Sequence, residues 1–324
     1  MLVFIIRRLL QSTLVIVAMS IVVFVGIYAI GNPVDILISP DATQIEREAA
    51  IRRLGLDRPL WLQYFYFVGG ALSGDLGNSF VTGDSALGMI LERMPATLEL
   101  AVTAMVIAVI VGIPLGLWAA LHHRETSDSV ITSASILGFS LPNFWQGMML
   151  ILIFAVMLDW LPSGGRGDTV EVFGIETSML TLDGWAHLIL PALNLAIYKT
   201  SLLIRLTRGA VREVVHQDYI KFARARGLAA RRVVGVHILK NIMIPVVTII
   251  GMELGSVIAF AVVTETVFAW PGMGKLIIDS IYVLDRPVVV AYLMIIVFLF
   301  IIINLVVDIL YSLLDPRIRL EAAV

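Results

Sequence analysis

The stretch Asp218–Pro245, DYIKFARARGLAARRVVGVHILKNIMIP, is a long basic, helix-forming interruption in the second half of a very apolar chain. From Asp218 to Arg226 it holds no Gly or Pro, and Tyr219, Phe222, Ala223 and Arg226 recur at i, i+3, i+4 and i+7. That spacing predicts a short helix with its two aromatics and Ala223 on one face and with Lys221 and Arg224 turned away. Gly227 stops it, and a second helix starts near Ala229 and runs to Pro245 at the edge of the next apolar run. A helix this short is not stable alone, so its aromatic face needs a groove on a partner or a bilayer surface.

The rest of the chain supplies the setting. Mean hydropathy is +0.94, with 59% hydrophobic and 15% charged residues, where a soluble chain carries about 25% charge. This is the composition of an integral membrane protein, and the length of its apolar runs predicts an all-α one. Cys is absent, which excludes disulfides, thiol catalysis and Cys-based metal sites.

Apolar runs predict six membrane-spanning helices at 9–30, 98–121, 130–158, 187–206, 242–263 and 288–314. The first follows Arg7 and Arg8 and, at 22 residues, is too long for the apolar core of a signal peptide, so it reads as an uncleaved span. Gly138 and Pro142 predict a kink in the third, tolerated where a neighbour satisfies the freed carbonyl. Between the first two spans lies a polar outer segment, 31–96, with helix-like pieces at Ala42–Leu54 and Pro59–Leu72 and a turn-rich GDLGNSF at Gly74–Phe80. The piece Pro59–Leu72 is aromatic on more than one face and too short to span, which suits the membrane interface.

Basic residues orient the bundle. Arg205–Lys240 carries nine Lys and Arg against Glu213 and Asp218, whereas Asp159–His187 carries Arg166 against five acids. The first loop is therefore expected inside and the second outside. Arg7, Arg8, Arg124, Arg317 and Arg319 then also fall inside, so both termini are expected to be cytoplasmic. The whole chain, 1–324, is expected to form a single transmembrane domain with a cytoplasmic loop at 207–241.

The Gly-centred loop resembles the EAA loop of permease subunits of binding-protein-dependent ABC importers. Here Lys221, Phe222 and Ala223 occupy the Glu-Ala-Ala positions, and the longer distance from Gly227 to Pro245 resembles the dipeptide, oligopeptide and nickel branch. ETVFAWPGMGKLIIDSI (Glu265–Ile281) and NLVVDILYSLLDPRIRL (Asn304–Leu320) are similar to the same branch. The resemblance implies a type I importer permease fold and an inner-membrane location. It implies a second homologous permease, two cytoplasmic ATPase subunits that carry the ATP and Mg, and an outer solute-binding protein. This chain would have no cofactor and no catalysis of its own. Asp218, Tyr219, Lys221, Phe222, Ala223, Arg224, Arg226 and Gly227 would form the coupling element, with Tyr219 and Phe222 as its anchors. Peptides, nickel chelates, glutathione and opines all remain open as solutes.

Other signals are weaker. GMGK (Gly272–Lys275) lacks the spacing and the Ser or Thr of a phosphate loop and reads as a turn opening a short helix. The five His residues form no metal motif, no Ser sits in G-x-S-x-G, and the basic loop is interleaved with apolar residues, which argues against nucleic acid. Among ionisable residues within spans, Glu99 and Asp308 lie near helix ends, where exposure or capping is expected. Lys199 and Glu253 lie deeper, each roughly 15 Å from the cytoplasmic side at 1.5 Å per residue. They are expected near each other, either as a structural pair or lining a wet pathway. An ion-gradient-driven secondary transporter is the alternative, but it calls for inverted repeats, and no convincing repeat is visible.

Overall fold

The structure, a computed structural model, describes residues 2–29, 43–53 and 57–314. Expectations resting on Ile30 to Ala42, on Leu54 and on the end of the C-terminal string from Asp315 lie outside those residues. The chain packs as two compact units. The first runs up to Pro95 and includes Gly272–Ile301; the second takes Ala96–Pro271 and the chain from Ile302.

In the first unit, α1 (Leu2–Ala29) carries the first apolar run, and α2 (Gln44–Arg53) and α3 (Leu60–Leu72) take up the two helix-like pieces. Helix α3 lies on α1 through a Ser20–Tyr64 hydroxyl hydrogen bond of 2.8 Å and an edge-on Phe24–Tyr64 contact at 5.4 Å. Phe67 also meets Phe24, at 6.0 Å, while Trp61, Phe65 and Tyr66 stay exposed. The Gly74–Phe80 turn is clamped by Asp285, which accepts from the Ser79 hydroxyl and, at 3.0 Å, from the Phe80 N–H.

Helix α4 (Ala86–Leu121) begins well before the expected span and has 36 residues, about 54 Å at the helical rise. In the second unit α4 meets α7 (Leu182–Val215) through Gly112 and Gly116, where a Cβ would come within 2.9 Å of Leu203 and 2.7 Å of the Ile204 carbonyl. Two small residues four apart let the backbones approach this closely. The expected kink at Pro142 is a break: α5 (Thr126–Ser140) and α6 (Asn143–Leu150, continued as a π-helix to Met157) meet at 105°. Gln146 satisfies the freed carbonyls, its side-chain amide donating to Gly138 at 3.2 Å and Leu141 at 2.8 Å.

The loop expected at 159–184 contains a small hairpin, β1 (Val170–Val172) and β2 (Ile175–Thr177), turned at Phe173–Gly174 with both residues in the left-handed region. Here the expectation for Glu99 is corrected. It is buried, and it accepts from the Ser178 N–H at 3.1 Å and the Ser178 hydroxyl at 2.9 Å while pairing with Arg166 at 3.1 Å. Helix α4 begins at Ala86, so Glu99 lies well inside it, and the loop folds back to bring the carboxylate a cation.

Helix α7 runs to Val215, past the expected edge of its span, and is followed by α8 (Asp218–Ala225) and a short α9 (Ala230–Arg232). A π-helical stretch, Val233–Ile238, leads into α10 (Leu239–Phe260), which continues through Pro245. Then come α11 (Val262–Val267), α12 (Met273–Tyr282), which opens directly after Gly272, and α13 (Arg286–Leu314).

Among the described residues three helices, within α4, α7 and α13, are long and apolar enough to cross a membrane unaided. Counting each of the bent pairs around Ser140 and Met243 as one span brings the number to five. The apolar part of α1 is the shorter Leu10–Gly26.

Candidate functional site

Two places in the second unit hold the residues singled out in the sequence. The first is the seat of α8. Helix α7 ends at Val215 and α8 begins two residues after His216, with Asp218 in its first turn and Arg224 in its last, each favourable to the helix dipole. Asp218 is fully solvated, and a 2.9 Å hydrogen bond from Lys221 holds its carboxyl below the ordinary range.

Helix α8 has a second apolar face, one that sequence reading did not assign. Ile220 is fully buried and Ala223 is 5% exposed, packed with Val211 of α7, Val233 and Ile238 of the π-helical stretch, Ile242 of α10 and Ala120 of α4. Tyr219 and Phe222 are exposed, at 44% and 64%. At about 100° per residue Ala223 lies roughly 40° from Tyr219 but about 60° from Ile220, so it sits on the boundary between two faces. Ala223 therefore belongs to the anchor and not to the aromatic face. Sequence reasoning missed Ile220, the residue that seats the helix, although an isoleucine three before Ala223 was the available signal.

Gly227 takes φ +75°, and its N–H reaches the Arg224 carbonyl at 2.9 Å while the Leu228 N–H reaches Ala223 at 3.3 Å. These two bonds form a Schellman cap, completed by Leu228 packing on the same cluster. Arg226 then folds over the Phe222 ring at 5.7 Å, a cation–π contact beside the exposed aromatics. Below the seat, Arg208 of α7 grips Asp128 of α5 with two bonds, 2.7 and 2.9 Å, and His123 adds a third at 2.9 Å. Neither Arg208 nor Asp128 stood out by motif or spacing.

The second place is a cavity of about 470 Å³ between α5, α6, α7 and α10. Lys199 of α7 and Glu253 of α10 line it and form an ion pair, with side chains 12% and 26% exposed. Ser256, one turn beyond Glu253, accepts from Lys199 at 2.8 Å and lies 3.0 Å from the Glu253 carboxylate. Lys199 also stands 5.2 Å from the Tyr198 ring, which stacks on Phe139 at 4.7 Å. Farther along the wall Asn194 donates to Asn143 and, at 2.9 Å, to Thr264. Sequence reading did not find Ser256, Tyr198 or Asn194, which are ordinary polar or aromatic residues until the fold places them on one wall.

This helical arrangement has known counterparts. Residues 112–320 match the profile of the family described as binding-protein-dependent transport system inner membrane component, and residues 1–101 match that of its N-terminal region. The chain is 41% identical over 302 residues to the di/tripeptide transport system permease protein DppB of Pseudomonas aeruginosa (strain UCBPP-PA14), covering 89% of this chain and 90% of that one. It is 39% identical over 318 residues to the oligopeptide transport system permease protein AppB of Bacillus subtilis (strain 168), covering 98% and 99%. It is 38% identical over 337 residues to the dipeptide transport system permease protein DppB of Escherichia coli (strain K12), again covering 98% and 99%. Among solved structures, an inward-facing form of the methionine ABC transporter MetNI superposes with a TM-score of 0.54 at 14% identity, covering 70% of this chain and 96% of that one, a likeness of fold alone. The chain is thus a multi-pass membrane protein that belongs to the family of inner-membrane components of binding-protein-dependent transport systems.

Proposed function

We propose that this chain is half of the translocation pathway of an ATP-driven importer for di- and oligopeptides, with six spans and both termini in the cytoplasm. A second homologous permease completes the pathway. Two cytoplasmic ATPase subunits hold the ATP and Mg, and an outer solute-binding protein delivers the solute. The observation that carries the reading is α8, an eight-residue helix fixed to the bundle by Ile220 and Ala223 while Tyr219 and Phe222 face away from it. Such a helix is a rigid knob awaiting a groove.

In this reading Tyr219 and Phe222 fill the ATPase groove, each contributing about 1.5 to 3 kcal/mol if fully buried. Lys221, Arg224 and Arg226 orient the knob, and Asp218 with Lys221 closes its first turn. The anchor of α8 touches both α7 and α10, the helices that carry Lys199 and Glu253. A pull on α8 therefore reaches both walls of the cavity, and the two helices tilt as access alternates between the sides.

Purification of the chain from its native membrane tests this. Stoichiometric ATPase subunits that are lost when Tyr219 and Phe222 are both replaced by Ala are the expected result. A chain that purifies alone and moves peptide into vesicles without ATP overturns the reading. That outcome would favour an ion-gradient-driven carrier, for which two broken helices would be in character.

A further inference from the structure

The cavity beside Lys199 is matched to one balance of charge. Lys199 and Glu253 are satisfied by one another and by Ser256 on the wall of a space of about 470 Å³. That volume falls within the roughly 300–1,000 Å³ of small-molecule sites. A lone charge at this depth in a membrane is costly, and removing one member of a buried pair strands the other. Any solute that opens the pair must therefore replace what each member loses. A solute carrying an ammonium and a carboxylate does so for both. A solute with one charged end leaves either Lys199 or Glu253 stranded, and an uncharged one leaves both. Elsewhere on the wall Phe139, Tyr198 and Phe260 offer flat aromatic contact, and Asn143, Gln146 and Asn194 add amide groups.

We propose that Lys199 and Glu253 form a zwitterion-exchange site, in which a solute's carboxylate moves onto Lys199 and its ammonium onto Glu253 as the internal pair separates. This rests on the pathway reading above and names its solute class: small peptides with both termini free. Selection at the ion pair depends on the charge balance of the solute's two ends and not on its side chains.

The chain has no Cys, so Phe260→Cys, on the cavity wall and 75% exposed, gives it a single reporter thiol. In the assembled complex in lipid nanodiscs, modification of this chain by a methanethiosulfonate reagent is followed by mass. Dialanine, N-acetyl-dialanine and dialanine amide are compared as protectants. Dialanine is expected to protect at concentrations at least about tenfold lower than either blocked peptide, because a hydrogen bond to a charged group is worth roughly that factor or more. Lys199→Gln combined with Glu253→Gln should abolish the preference. Lys199→Glu combined with Glu253→Lys should keep it, since a zwitterion can lie in either direction, and this variant retains the internal pair if folding is the concern. Equal protection by all three peptides, protection by none, or a preference that survives the double Gln variant overturns the site. The readout is labelling and not uptake, so a complex that transports normally with no preference refutes the site alone. Absence of ATPase partners refutes the importer reading alone.

Discussion

Replacing Gly227 with Val should release α8 from its seat without disturbing the bundle. Gly227 has φ +75°, and a Cβ built there meets nothing within 4 Å, so the cost is conformational and not steric. A non-glycine residue in the left-handed region costs about 1–2 kcal/mol, and a β-branched one is disfavoured further. Relaxing the turn instead sacrifices the 2.9 Å and 3.3 Å cap bonds, each worth about 1 kcal/mol net. Either route costs about 1–2 kcal/mol, close to a tenfold shift between seated and displaced α8. The seat itself rests mainly on Ile220, whose burial contributes about 1.5–3 kcal/mol, so the shift is a large part of what holds the helix. Trypsin cleavage after Arg224 and Arg226 in the assembled complex reads the displaced population, and peptide imported per ATP hydrolysed reads coupling. Cleavage should quicken about tenfold in Gly227→Val and the import ratio should fall severalfold. Gly227→Asn, which tolerates this backbone region, should stay near wild type. Wild-type cleavage and import in an assembled Gly227→Val complex would refute the reasoning.

Ile220→Ala, at a fully buried position, should cost about 2–5 kcal/mol locally and quicken the same cleavage more than Tyr219→Ala does, since Tyr219 is already exposed. Equal effects would mean that Ile220 is not the anchor. Arg208→Ala strands the buried Asp128 and should lower stability by about 3–5 kcal/mol in thermal unfolding of the detergent-solubilised protein, whereas Arg208→Ala with Asp128→Asn should recover much of the loss. Gly116→Val puts side-chain atoms where even a Cβ would lie 2.7 Å from the Ile204 carbonyl and 2.8 Å from Thr207, so α4 and α7 must separate. A loss of about 1–3 kcal/mol in the same unfolding assay is expected, and an unchanged midpoint would show that the contact is not tight.

Much of the architecture was legible because lipid imposes a strong pattern: long apolar runs leave few alternatives to spanning helices. What stayed hidden were features set by side chains meeting across the fold. Pro142 predicts a disturbance, but whether it becomes a gentle kink or a 105° break depends on a donor for the freed carbonyls, and Gln146 supplies it from the far side of the break. Glu99 looked like a solvated helix end because Arg166 and Ser178, which bury it, are 67 and 79 residues away. The hairpin at Val170–Thr177 is three residues a side, too short for alternation to reveal.

The site divides along the same physical line. Gly227 was legible because a turn between two helices demands a backbone that few residues accept, and that demand is local. Lys199 and Glu253 were legible because charge in lipid must be compensated, which narrows the partners to a few. Face assignment on α8 had no such constraint. In an eight-residue helix the apolar positions Tyr219, Ile220, Phe222 and Ala223 span about 160° of the circumference at 100° per residue, wider than the roughly 100° an inward stripe needs, so periodicity alone supports more than one inward face. Size and shape decide between them. The gap between Val211, Val233 and Ile242 is filled by a branched aliphatic beside a methyl, the close fit expected between packed helices. Two aromatic rings in the same gap would force α8 away from α7 and α10. The bulky pair is therefore left outside, where the proposed coupling role needs it.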